Sequence, residues 1–249
     1  KKYCKKIIQK LNLNTDSFVV EIASNDGYLL KNFVNKNIRC LGIEPTQNTA
    51  NEAMKLGIPT LVDFFTESLA DQFVEKDDRA DLIIANNVLA HVPNINNFIS
   101  GFKKLLKEEG TITIEFPHVY ELVKKNEFDT IYHEHYFYFS LHSLQIVFER
   151  HNLSIYDVEK LDTHGGSLRV YVTHKGNHID NNSTKNNVRK IHEKELKSKV
   201  NTLDFYSSIK YNAYKIKLDA LSFLVQQKIN NKKIIAFGAA AKGNTFLNF

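Results

Sequence analysis

The sequence contains little cysteine: its 249 residues include two, Cys4 and Cys40, and neither belongs to a C-x-x-C pair. Two isolated cysteines exclude a framework of disulfide bridges, and a reducing compartment fits this usage. No apolar run approaches the ~18 residues that a membrane-spanning helix needs, and no signal peptide is recognisable. The composition therefore predicts a cytoplasmic protein that does not cross a membrane.

A concentrated basic segment is also missing. The 33 lysine and arginine residues outnumber 28 acidic residues, and they are spread along the chain among asparagines and acids. A net charge of +5 in this arrangement does not predict a nucleic-acid partner. With 43% hydrophobic and 24% charged residues, the chain has the composition of a globular protein, long enough for one α/β domain and a smaller appendage. We expect a monomer.

Short apolar runs alternate with segments of helical periodicity in the first half of the chain. Strands that alternate with helices predict a parallel, doubly wound sheet. Its five strands are predicted at residues 18–23, 40–43, 61–62, 81–85 and 111–115. Two further strands, residues 153–158 and 167–173, are joined by Gly165 and Gly166, and they predict a reversed, antiparallel pair at one edge of the sheet.

The rest of the chain differs in composition. We assign residues 1–175 to the first domain and the polar, Asn-rich residues 176–187 to a linker. We assign residues 188–249 to a helical segment and a truncated C-terminal nucleotide-binding lobe. Residues 188–229 have helical periodicity with at least one break. Residues 233–238 are apolar and lead into a Gly/Ala turn, which predicts a buried strand that opens a second nucleotide-binding unit.

An acidic loop follows the first predicted strand. Glu21 lies near the end of that strand, and Asn25, Asp26 and Gly27 form the turn into the next helix. A glycine lets the backbone approach a ligand, and a helix N-terminus offers free N–H groups. S-adenosylmethionine carries an ammonium and a sulfonium, so this acidic turn suits it. NAD is the main alternative ligand, and the absence of the second glycine of its fingerprint disfavours it.

Three further strand ends carry polar or aromatic side chains that could complete this site. Glu44 ends the second strand, where an acid binds ribose hydroxyls in dinucleotide folds. Asp63 and Phe64 follow the third strand and could meet an adenine by hydrogen bond and ring contact. Asn86 and Asn87 follow the fourth strand. The alternative is that the acids are ordinary loop residues that cap helices.

Histidines and aromatic residues are concentrated at residues 132–140, which read Y-H-E-H-Y-F-Y-F-S, and His91 follows the fourth strand. An imidazole has a pKa suited to proton removal. His133 and His135 would share one face of an extended segment, as metal ligands do, but no third ligand stands at a recognised interval. We predict no metal. The remaining alternative is an aromatic lid with incidental histidines. Ser140 is predicted to cap the next helix.

Five motifs together resemble the nucleotide-sugar C-methyltransferases. They are E-I-A-S-N-D-G-Y-L-L, N-V-L-A-H-V-P, Y-H-E-H-Y-x-Y-F-S, H-G-G-S-L-R-V-Y and F-G-A-A-A-K-G-N-T. The resemblance implies a class I methyltransferase fold, S-adenosylmethionine as methyl donor, and methylation at C3 of a dTDP-4-keto-deoxysugar. Such enzymes usually begin with a small zinc-binding domain and end in a complete Rossmann-like lobe. The resemblance therefore implies a fragment, with any zinc in the missing N-terminal domain.

The resemblance also implies roles for individual residues. His135 would be the base that removes the C3 hydrogen, with Tyr132 and Glu134 beside it at the sugar. His91 would stabilise the enolate or assist proton transfer. The turn Gly165, Gly166 and Ser167 would border the sugar, and the segment with Gly238, Lys242 and Asn244 would hold the nucleotide diphosphate.

Two other functions remain open from the sequence. One is O- or N-methylation of a small molecule, which needs a base near a hydroxyl or amine rather than near a carbon acid. The other is a nucleotide-sugar-binding protein without catalysis.

Overall fold

Seven strands form one sheet in the computed structural model, which describes residues 1–177, 182–238 and 240–249. The strands are β1 (Phe18–Ile22), β2 (Arg39–Ile43), β3 (Thr60–Leu61), β4 (Ala80–Asn86), β5 (Leu106–Pro117), β6 (Leu153–Leu161) and β7 (Ser167–His174). Their order across the sheet is β3-β2-β1-β4-β5-β7-β6. β1 to β5 are parallel, and β7 pairs antiparallel with both β5 and β6.

Helices cover both faces of the sheet because the side chains of a strand alternate between its two faces. In β4, Ile83 and Ala85 belong to one hydrophobic core, and Leu82 and Ile84 belong to the other. The helices are α1 (Lys2–Lys10), α2 (Lys31–Val34), α3 (Gln47–Lys55), α4 (Glu67–Val74), α5 (Ile95–Leu105), α6 (Val119–Lys124), α7 (Leu141–Arg150), α8 (Asn182–Lys197), α9 (Leu203–Ile229) and α10 (Ala241–Asn248). α4, α5 and α7 contribute to the first core, whereas α1, α2 and α3 contribute to the second.

The predicted fold class, a doubly wound sheet with an antiparallel hairpin at one edge, is confirmed. The prediction of a reversed pair of strands was wrong in one respect. Only β7 runs against the other strands, because β6 is antiparallel to β7 and therefore points the same way as β5. The ends of β1 to β4 meet at a common edge, which carries the predicted site.

The segment after the sheet differs in part from the prediction. Its helical region consists of α8 and α9, with a break at residues 198–202. α8 begins at Asn182, so a helix occupies the second part of the predicted linker, and residues 178–181 of that linker lie outside the described residues. A polar sequence can form this helix because it buries few side chains, among them Ile191 and Glu195. The proposed domain boundaries otherwise stay a prediction.

The predicted strand at residues 233–238 was wrong: these residues are exposed and have no regular secondary structure. An apolar segment becomes a strand by pairing its backbone with a neighbour, and no strand in the described chain runs beside it. α10 instead packs against a short 3₁₀ turn, Phe128–Thr130, where the rings of Phe128 and Phe249 lie 5.0 Å apart. None of the helices in the described ranges combines the length and hydropathy that a bilayer span requires.

Candidate active site

A buried acid stands near the carboxyl end of β1. Glu21 is 2% exposed, and its Oε2 has no hydrogen-bond partner within the described chain. Burial, reinforced by the nearby charge of Asp26, raises the pKa of the Glu21 carboxyl well above its ordinary value. The Asp26 side chain is exposed, and its Oδ1 accepts a hydrogen bond from the Tyr28 amide at 3.2 Å. The two acids therefore offer one buried and one exposed carboxyl group to a ligand.

The turn after β1 has left-handed backbone at Ala23, Asn25 and Gly27. We expected Gly27 to make room for a ligand, and this role stays a prediction; the fold gives the glycine a reason of its own. A Cβ on Gly27 would collide with the Ile58 side chain and lie 3.2 Å from the Ala53 Cβ. The glycine is needed for its φ of 73° and for close packing of the turn against this apolar pair.

Glu44 connects the first two loops of the site. Its buried carboxylate accepts hydrogen bonds from the amides of Asn25 (3.1 Å) and Thr46 (2.9 Å). Both oxygens are engaged by backbone, as expected for the loop-capping alternative. Since each carboxylate oxygen can accept a second bond, a ribose hydroxyl remains compatible with this geometry.

A cavity of about 440 Å³ opens at the ends of β1 and β2, and its lining includes Asp63, Phe64 and His91. Its walls also include Ile22 and Ile43. The ring of Phe64 is largely exposed beside this cavity. The structure thus brings the predicted adenine contacts and one predicted catalytic histidine to the same apolar cavity.

The end of β4 presents two asparagines. The Oδ1 atoms of Asn86 and Asn87 are buried and have no hydrogen-bond partner among the residues described. Asn87 has left-handed backbone, and its amide donates to the Glu115 carbonyl at 2.7 Å. Ser24, which the sequence interpretation missed, also has a buried and unpartnered hydroxyl in the described structure. Its position in the turn after β1 was the feature of the sequence that could have identified it.

The predicted catalytic histidines lie against each other. The ring centroids of His91 and His135 are 4.8 Å apart. His91 belongs to a 3₁₀ turn, Leu89–His91, and its Nδ1 donates to the Glu134 carbonyl at 3.2 Å. The Tyr136 amide donates to the Ala90 carbonyl at 2.8 Å. These bonds attach residues 132–139 to the edge of the sheet after β4; we name them the catalytic segment for their predicted role.

Two tyrosine rings surround His135. Tyr132 lies 4.3 Å from it and Tyr138, whose role was not predicted, lies 5.5 Å from it, centroid to centroid. Burial, and then the neighbouring His91, lower the pKa of His135. Its Nδ1 is buried and has no partner in the described parts of the chain. A neutral imidazole with a free ring nitrogen can accept a proton.

The other polar residues of the catalytic segment are exposed. His133 and Glu134 lie at a turn, so the extended arrangement considered for a metal pair does not form. Within the described ranges, no three histidine, cysteine or acidic side chains cluster as metal ligands would. Burial and the charge of Glu134 raise the pKa of the Tyr132 hydroxyl.

The turn between β6 and β7 packs against α6 and the loop after it. Gly165 and Gly166 have φ values of 78° and 139°, and a Cβ on Gly165 would collide with the Glu127 carboxylate. The Ser167 hydroxyl is buried and donates to the Thr163 carbonyl at 2.9 Å. These contacts explain the two glycines within the fold, and a role for this turn in sugar binding stays a prediction.

The predicted diphosphate segment includes residue 239, which lies outside the described residues, and its role stays a prediction. Gly238 is exposed, and a Cβ built on it would meet no described atom within 4 Å. The Asn244 Oδ1 accepts a hydrogen bond from the Asn248 side chain. Lys242 lies near enough to Glu127 to lower the pKa of that carboxyl, which burial raises overall. The helix that carries Lys242, α10, packs against the 3₁₀ turn Phe128–Thr130, which precedes the catalytic segment.

Two sequence families match the chain along almost its whole length. The family described as a methyltransferase domain matches residues 1–158. The chain belongs to the methyltransferases. A second family, described as a C-methyltransferase C-terminal domain, matches residues 162–249.

This methyltransferase is also similar to a curated protein and to solved structures. It is 37% identical over 164 residues to the C-methyltransferase NovU of Streptomyces niveus, a match that covers 66% of this chain and 39% of NovU. The chain thus spans well under half of that relative. Similar folds include a methyltransferase from Clostridium acetobutylicum (12% identity, TM-score 0.55, 70% of this chain and 90% of that one). YcgJ from Bacillus subtilis is similar as well (12% identity, TM-score 0.54, 69% and 97%).

The residues at the strand ends fit S-adenosylmethionine, the methyl donor of this class of enzyme. Buried acceptors need donors, and the ammonium group of this cofactor would offer them to Glu21, Asn86 and Asn87. The apolar cavity with Phe64 suits an adenine ring. The site therefore has the acceptors and the apolar surface that this cofactor requires.

Proposed function

We propose that the intact protein transfers a methyl group from S-adenosylmethionine to C3 of a nucleotide-linked 4-keto-deoxysugar. The observation that carries this proposal is the half-buried imidazole of His135, whose ring lies 4.8 Å from that of His91. A ketone at C4 acidifies the hydrogen on C3, so a positioned base of moderate strength is sufficient to remove it. The resemblance of the histidine motif to the nucleotide-sugar C-methyltransferases supports the same acceptor.

The amino-acid part of the cofactor would be held by polar side chains at the ends of β1 and β4, namely Glu21, Asp26, Asn86 and Asn87. Its adenosine would be held by Glu44, Asp63 and Phe64. When bound, S-adenosylmethionine supplies an electrophilic methyl group on a positively charged sulfur. The charge of Asp26 in the β1 turn would balance the positive charges, and the apolar cavity would exclude water from the adenine.

His135 would take the C3 proton on a ring nitrogen, leaving an enolate with its charge on the C4 oxygen. The ring of Tyr132 lies 4.3 Å from that of His135, and its hydroxyl would donate a hydrogen bond to that oxygen. His91, whose Nδ1 donates to the Glu134 carbonyl, would assist proton transfer through Nε2. C3 of the enolate would then form the new bond to the methyl carbon while the carbon–sulfur bond breaks. The high pKa of the Tyr132 hydroxyl keeps it protonated as a donor.

Exchange of the C3 hydrogen with solvent deuterium tests this mechanism. The intact protein, incubated in D₂O with a dTDP-4-keto-deoxysugar and without S-adenosylmethionine, should exchange the C3 hydrogen faster than buffer alone. A variant with His135→Ala should lose that acceleration. Exchange at the buffer rate in the wild type, together with methylation of a hydroxyl or amine, would favour the small-molecule O- or N-methyltransferase instead. Binding of both ligands without turnover would indicate a non-catalytic binding protein.

A further inference from the structure

A buried carboxylate on α8 is bonded to elements that flank the catalytic segment. Glu195 has no exposed surface, and its side chain accepts three hydrogen bonds. Its Oε1 accepts from His118 Nε2 at 2.6 Å and from the Leu141 amide at 2.7 Å. Its Oε2 accepts from the His142 amide at 2.8 Å. Because a buried carboxylate needs such donors in place of water, these bonds fix α8 relative to its three partners.

The first partner, His118, is connected to the end of the catalytic segment. His118 directly precedes α6 and forms a β-bridge with Phe139. The Val119 amide donates to the Phe139 carbonyl at 3.0 Å, and the His118 amide donates to the Gly166 carbonyl at 3.0 Å. A displacement of His118 would therefore move Phe139, which lies four residues after His135. It would also move the turn between β6 and β7.

The other two partners form the first turn of α7. The amides at a helix N-terminus have no partner within the helix. Ser140 and Ser143 form a capping box that uses the Ser143 amide, and Glu195 accepts from the amides of Leu141 and His142. A negative charge is favourable at this end of a helix. Since Ser140 directly follows the catalytic segment, Glu195 fixes that end of the segment from this side as well.

We propose that Glu195 is a positioning residue for methyl transfer, a role that rests on the proposed function. By holding Phe139 and the first turn of α7, it keeps His135 beside His91 without touching the substrate. Glu195 lies in the part of the chain that matches the C-methyltransferase C-terminal domain. The C-terminal region thereby takes part in shaping a catalytic segment that belongs to the methyltransferase domain.

The test is Glu195→Gln in the intact protein, which keeps the side-chain shape but turns an N–H group toward donors. Hydrogen–deuterium exchange should become faster in peptides from residues 131–142 and stay unchanged in peptides from β1 to β4. The kcat should fall roughly a hundredfold, the cost of a misplacement of about 1 Å, while the Kd of S-adenosylmethionine is unchanged. The matched control is Glu193→Gln on the same helix, where the side chain is 54% exposed, and it should behave as wild type.

Two results would overturn the proposal. Wild-type exchange in residues 131–142 would show that Glu195 does not hold the segment, and a uniform rise across the chain would show a role in global stability alone. If Glu195→Gln does not fold, the same hydrogen–deuterium exchange measurement on His118→Gln tests the proposal, because that variant changes the other end of the bond to Glu195. The amide exchange is measured without substrate, so its result is independent of the proposed function. A failure of the proposed function would appear separately, as absent deuteration at C3 of the sugar with the wild-type protein.

Discussion

The imidazole rings of His91 and His135 lie 4.8 Å apart at an interplanar angle of 68°. His91 comes from the turn after β4, and His135 comes from a segment more than forty residues later. The hydrogen bond from His91 to the Glu134 carbonyl joins them. Because His91 disfavours a proton on His135, the neutral form of His135 is favoured, and a neutral imidazole is what removal of a proton requires.

Replacing the proposed base should separate catalysis from cofactor binding. We expect His135→Ala to lower kcat by roughly 10²- to 10⁴-fold, the usual contribution of a positioned general base, and to leave the Kd of S-adenosylmethionine nearly unchanged. His133→Ala is the control, because that side chain is exposed two residues away. Steady-state kinetics and calorimetry make the comparison. A His135→Ala enzyme that keeps most of its rate would require a different base.

The pH dependence of His135 should respond to its neighbour. Burial lowers the pKa of His135 first, and His91 lowers it further because a like charge disfavours protonation. His91→Asn removes that second contribution, so the pKa of His135 should rise toward its ordinary value without reaching it. NMR titration of the histidine ring signals measures the shift. An unchanged or lower pKa of His135 in the variant would contradict this coupling.

The sheet and its ligand edge could be predicted from the sequence because both depend on local patterns. Apolar runs predicted the strands, and the parallel arrangement brought Glu21, Asp63 and Asn86 to one edge. Glu195 could not be found in this way, since its bonds to His118 and Leu141 span 77 and 54 residues and have no local signal. The error at residues 233–238 has a related cause: apolar composition predicts burial, whereas a strand requires a neighbour.

The buried acid of β1 should make stability depend on pH. Burial raises the pKa of Glu21, so the folded state retains a proton that the unfolded chain releases above its ordinary pKa. The free energy of unfolding should therefore fall as pH rises from about 4 toward the raised pKa. Glu21→Gln should remove this slope and increase Tm at neutral pH, while it weakens S-adenosylmethionine binding.

Thermal unfolding of the two proteins between pH 4 and pH 8 checks the Glu21 prediction. Glu52→Gln is the control, because Glu52 is an exposed partner of Lys55, and it should retain the wild-type slope. Equal slopes for wild type and Glu21→Gln would mean that the carboxyl is ionised in the folded state.

Two glycines with nearly the same backbone provide a matched test of the turn after β1. Gly27 and Gly57 have φ values of 73° and 74°, but of the two only Gly27 faces side chains, those of Ile58 and Ala53. Gly57→Ala should cost only the left-handed strain, roughly 1–2 kcal/mol in unfolding free energy. Gly27→Ala should cost about 1–3 kcal/mol more through overpacking. Ile58→Val should recover part of the excess in the Gly27→Ala background and none in the Gly57→Ala background, as measured by urea denaturation. Equal losses of unfolding free energy at the two glycines would show that only the backbone conformation requires glycine in the turn after β1. The contact with Ile58 would then play no part.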